Sequence, residues 1–109
     1  MEQSIKVVPV MLGGQERHLK FDVNALISLG DELNLNFLTK DAWDSLTKPD
    51  FRQVRAIVWA GLLHEAPELT VREVGSMMDP QNLQPVIDAY QQAFAASEET
   101  PPKALAAAD

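Results

Sequence analysis

The sequence contains no cysteine, which removes disulfides, thiolate ligands and thiol nucleophiles together and fits a reducing compartment. Histidine is scarce as well. Only His18 and His64 occur, so a metal centre or an acid–base site would have few parts to use. No apolar run approaches the roughly 20 residues that cross a bilayer. The first residues, Met1 to Lys6, lack the basic start and apolar stretch of a secretory signal. Positive charge is also in short supply: nine Lys and Arg stand against sixteen Asp and Glu, for a net charge of −7. Such a chain repels phosphate backbones and anionic lipid, and its cations are scattered along the sequence. Nucleic acid and membrane are therefore not expected partners. What remains is 109 residues, 46% hydrophobic and 23% charged, the profile of one packed domain.

The pattern predicts an α+β, mainly α fold, with an N-terminal β-hairpin packed on a bundle of four to five helices. A single domain is expected over residues 1–97, with the hairpin at 4–21, the helices at 22–97 and a flexible tail at 98–109. Two runs of β-formers, Ile5 to Leu12 and Gln15 to Phe21, flank Gly13-Gly14, a pair suited to the positive φ angles of a two-residue turn. That turn pairs Leu12 with Gln15, Val10 with Arg17, Val8 with Leu19 and Lys6 with Phe21. One face then carries Val8, Val10, Leu12, Leu19 and Phe21, while Ile5, Val7 and Met11 lie on the other beside Glu16, His18 and Lys20. Pro9 lacks an N–H and marks an edge.

Helix start signals follow in order. Asp22 caps a helix whose expected inward stripe is Val23, Leu26, Ile27, Gly30 and Leu33. Thr39 caps a short helix, with Leu38 and Trp43 as its hydrophobic staple. Asp50 and Gln53 form a capping box for a third helix, apolar at Phe51, Val54, Ile57, Val58, Gly61 and Leu62, with Trp59 and Leu63 adding a second stripe. A helix apolar nearly all round is surrounded by other elements, so Val58, Trp59 and Leu62 are expected core. Thr70 and Glu73 box a fourth helix, stapled by Leu69 and Val74. A fifth begins near Asn82, with Pro85 in its first turn and Leu83, Val86, Ile87, Tyr90 and Phe94 on one face.

No catalytic constellation emerges. His64-Glu65 is half of a zinc-protease helix motif, but the second histidine is missing and Pro67 breaks the helix. His18 is expected on a solvated strand face. Gly13-Gly14 has neither a following helix nor a Lys-Ser/Thr pair, so a phosphate loop is unsupported. The serines have no histidine placed as a base. No enzyme activity, cofactor or metal is expected. The apolar surplus is more telling. A ribbon apolar on both faces invites another chain to cover one of them, and methionine makes adaptable contacts. Ile5, Val7, Met11, Met77 and Met78 are the candidate protein-binding residues, and a homo-oligomer through the hairpin is expected.

Three stretches carry a resemblance: Phe21-Asp22-Val23-Asn24-Ala25-Leu26, the run from Arg55 to Glu65, and the run from Pro67 to Gly75. Together they resemble the tail assembly chaperones of long-tailed bacteriophages, prophages and gene transfer agents. Ser28 to Glu32 departs from that pattern, since Gly30 interrupts an otherwise acidic helix end. The resemblance implies a non-enzymatic assembly factor in the bacterial host cytoplasm, absent from the finished virion. Such proteins self-associate and bind the tape measure protein, a long helical chain that sets tail length, keeping it soluble until the tail tube protein polymerises around it. In many relatives a frameshifted longer form recruits tube subunits. The competing reading is a small helical adaptor or regulatory subunit of a cellular protein complex. Neighbouring genes separate the two: a very long helical reading frame downstream favours the chaperone.

Overall fold

The computed structural model describes residues 7–98, with side chains described for residues 7–94. Two antiparallel strands, β1 (Val8–Leu12) and β2 (Gln15–Leu19), precede five α-helices. These are α1 (Val23–Leu33), α2 (Lys40–Asp44), α3 (Phe51–Leu62), α4 (Val71–Ser76) and α5 (Leu83–Glu98), with a 3-10 turn at Pro80–Asn82 before α5. The fold is α+β and mainly α. Ile5 and the Lys6–Phe21 pairing fall outside the described residues, as does the expected tail beyond Glu98.

The hairpin register is the expected one: Val8 faces Leu19, Val10 faces Arg17 and Leu12 faces Gln15. Gly13 and Gly14 have φ of 60° and 79°, the left-handed pair that a tight hairpin turn needs. Val8, Val10, Leu12, Leu19 and Phe21 are all buried, so one face of the ribbon lies on the helices. That contact supplies the apolar cover a two-stranded ribbon lacks alone.

Helix α3 is the hub, meeting α1, α4, α5 and β2. Its start is fixed by the reciprocal box in which Asp50 accepts from the Gln53 N–H and Gln53 accepts from the Asp50 N–H. Val58 and Leu62 are wholly buried. At Gly61 the hairpin exit crosses the helix: a Cβ there would stand 2.8 Å from Phe21 Cζ. The Lys20 N–H donates to the Gly61 carbonyl at 3.0 Å in the same crossing. Around this hub Phe94 gathers aromatic rings, with Phe21 at 4.4 Å, Trp43 at 5.5 Å and Tyr90 at 5.9 Å between centroids.

Four expectations need correction. The inward stripe of α1 holds at Leu26, Gly30 and Leu33 but not at Val23 and Ile27, which are 69% and 57% exposed; Ala25 and Leu29 are buried in their place. The docking of α1 on α3 sets the phase. Residues 25 and 29 are four apart and share one face, while 23 and 27 lie on roughly the opposite side of the helix. The staple at α2 is also different. Leu38 is exposed, and Phe37 turns inward instead, packing edge-on against Trp43 at 5.1 Å while its carbonyl accepts the Trp43 indole N–H at 2.8 Å. The turn around Asn36 causes this, since its side chain accepts from Leu38 N–H and its carbonyl from Thr39. Phe51, expected on the inward stripe of α3, is 68% exposed at the helix start. Trp59 packs at the margin of the core rather than inside it. Its N–H needs an acceptor, and it finds the Leu69 carbonyl at 2.8 Å, in the connection to α4.

Candidate protein-binding surface

The outer face of the hairpin is set by strand alternation. Val7 and Met11 are 46% and 63% exposed there, and Pro9 lies exposed between them. This apolar row runs from the residue before β1 along that strand, whose free edge carries no N–H at Pro9. The edge of β2, in contrast, is closed by the end of α3 and the turn after it. His18 N–H points away from β1 and donates to Glu65 Oε2 at 2.8 Å, and His64 Nε2 lies 2.7 Å from the His18 carbonyl oxygen. With the Lys20 to Gly61 bond, these contacts occupy the polar groups that another strand would need.

The same corner holds a small electrostatic clamp. His18 Nδ1 lies 3.1 Å from Glu65 Oε1 and His18 Nε2 lies 3.1 Å from Glu16 Oε2. Hydrogen bonding to Glu65 raises the His18 pKa above its ordinary value; partial burial opposes this and Glu16 adds to it. For Glu65, partial burial is the largest influence and pushes its pKa up. The His18 N–H, the His18 ring and the histidine charges together outweigh it and leave the carboxyl below its ordinary value. His18 therefore has a defined structural partner, not merely the solvated strand face expected from its neighbours.

Where the hairpin tip meets the end of α4 and the start of α5, a groove of about 770 Å³ opens. Met11, Leu12, Met77, Met78, Pro85 and Val86 form its apolar walls, and Glu16 and Asn82 add polar groups. Met77 is the C-cap of α4, and its Cγ stands 3.4 Å from where a Cβ on Gly13 would be. The glycine turn thus rests directly on this methionine. Three of the five candidate residues, Met11, Met77 and Met78, converge here. Val7 shares the exposed row with Met11 but does not line the groove, and Ile5 lies outside the described residues. Helix α4 is short, six residues, and its C-cap Met77 lies against the hairpin turn at Gly13.

A second groove, of about 640 Å³, runs between α3 and α4 and was missed from sequence. It gathers Arg52 and Arg55 from α3 with Arg72 from α4, beside Phe51, Met78 and Leu83. The cations judged scattered are therefore partly clustered. The available signal was the one-turn spacing of Arg52 and Arg55; the contribution of Arg72 depends on how α4 docks. Met78 is common to both grooves.

Among the described residues, no group of three or more His, Asp or Glu side chains is arranged to hold a metal ion. No described helix is long and apolar enough to cross a membrane. The Tyr90 hydroxyl is buried without a hydrogen-bond partner among the described residues, and burial pushes its pKa up to about 12. It stays protonated and inside the core. Comparison with protein-family models, with curated proteins and with solved structures found no match to this chain.

Proposed function

We propose that this chain is a non-enzymatic tail assembly chaperone that self-associates and binds a tape measure protein in the bacterial host cytoplasm, without entering the finished virion. The observation that carries the reading is the apolar groove in which Met11, Met77 and Met78 converge beneath the hairpin tip. A helix laid into a groove is held by apolar side chains at its own three- and four-residue spacing, and methionines adapt to varied sequences along it. The exposed Val7–Met11 row would serve contact between copies of the chain, and the net charge of −7 would keep a coated complex dispersed. A tail tube protein would join through a longer frameshifted form. An adaptor subunit of a cellular complex could use the same groove, so the partner decides between the readings.

Co-expression with a candidate tape measure protein, the product of a very long helical reading frame downstream, is the test. The expected outcome is that the long protein stays in the soluble fraction and co-purifies with this chain, and precipitates when expressed alone. If it is equally insoluble in both cases, the chaperone reading fails.

A further inference from the structure

We infer that the groove between α3 and α4 binds an acidic segment of a partner protein that carries an apolar side chain. The inference rests on the arginine geometry and stands apart from the chaperone reading. Three of the four arginines in a chain of net charge −7 line this one groove. Asp79 is the single carboxylate among the lining residues, and it is already committed: Oδ1 accepts from Gln81 and Asn82 N–H, and Oδ2 from Asn82 Nδ2. Among the described residues no carboxylate forms an ion pair with Arg52, Arg55 or Arg72.

Arg55 is built into place. Its stem crosses α4 at Gly75, where a Cβ would come within 2.9 Å of Arg55 Cδ. That packing fixes the stem, and the guanidinium of Arg55 lines the groove beside those of Arg52 and Arg72. Guanidinium groups accept carboxylates in two-point geometry and tolerate partial burial better than ammonium groups. Phe51, 68% exposed, offers an apolar contact at the rim, and Met78 and Leu83 offer more within the groove. A partner with carboxylates flanking an apolar residue matches this arrangement. Nucleic acid matches it less well, because phosphate binding draws on an extended basic track and the rest of the chain is acidic.

The probe is a fluorescein-labelled helical peptide with a central leucine and glutamates about three or four residues to either side, read by anisotropy against the full chain. The glutamate peptide is expected to bind, to weaken as salt rises, and to bind the Arg52→Gln/Arg72→Gln double variant at least about tenfold more weakly. Both substituted side chains are exposed, so the variant keeps its fold. The same peptide with glutamine for glutamate is expected to bind no better than the double variant binds the acidic one. The inference is overturned if neither peptide binds, if both bind equally, or if the double variant matches the wild type. It is also overturned if a single-stranded oligonucleotide binds the groove more tightly than the acidic peptide does.

Discussion

Side chains at the edge of the core fix the loops of this protein by their polar tips. Trp43 donates to the Phe37 carbonyl and Trp59 to the Leu69 carbonyl, each at 2.8 Å, so each indole secures a connection outside its own helix. The apolar surroundings of Trp59 were legible in the sequence; its hydrogen bond was not, because the acceptor belongs to a loop carbonyl ten residues away. Tyr90 is the opposite case. Its buried hydroxyl finds no partner among the described residues, and such a group costs about 1–3 kcal/mol. Tyr90→Phe is therefore expected to raise stability by up to about 1 kcal/mol in urea unfolding, after allowance for lost contacts. A loss of similar size would show that the hydroxyl is satisfied.

Elements were the most readable level, because helix starts are written in a few adjacent residues. Asp22, Thr39, Asp50 and Thr70 each accept a hydrogen bond from the first turn of the helix they precede. Rotation of a helix about its axis is less local. Val23 and Ile27 fit a helical stripe as well as Ala25 and Leu29 do, and only the docking of α1 on α3 decides between them. The clamp between β2 and the turn after α3 was equally hidden, since His18 and Glu65 are 47 residues apart. It gives the hairpin attachment a pH dependence. His18 has a raised pKa, so its contribution is full below the ordinary value of 6.5 and fades as pH rises through the folded-state value. Glu65 has a lowered one, so its contribution is full above the ordinary value of 4.5 and fades as pH falls through the folded-state value. The stability difference between wild type and Glu65→Gln should therefore be greatest between about pH 4.5 and pH 6.5, and narrow on either side. A difference that stays the same well below pH 4.5 and well above pH 6.5 would remove the ion pair from the account.

At the scale of the whole molecule, two grooves share Met78 and differ in character: one is methionine-rich beneath the hairpin tip, the other arginine-rich between α3 and α4. A consecutive methionine pair cannot easily place both side chains inward, and Met77 and Met78 are both partly buried at the margin of the core. Their meeting with Met11 was not legible, since it depends on where the hairpin tip lands. The arginine cluster was invisible for the same reason: charge summed over a chain says nothing of where helices bring it together. The buried part of α3 holds these surfaces in position without forming them.

The claim that the groove beneath the hairpin tip is the working surface is tested most directly by co-purification of the tape measure protein with two variants. Met11→Glu/Met77→Glu puts charge into the groove and leaves the arginine groove untouched, whereas Val23→Glu/Ile27→Glu puts it on the exposed apolar face of α1. With both variants folded by circular dichroism, the first is expected to lose the tape measure protein and the second to retain it. Retention by the groove variant, or loss by the α1 variant alone, would contradict the account.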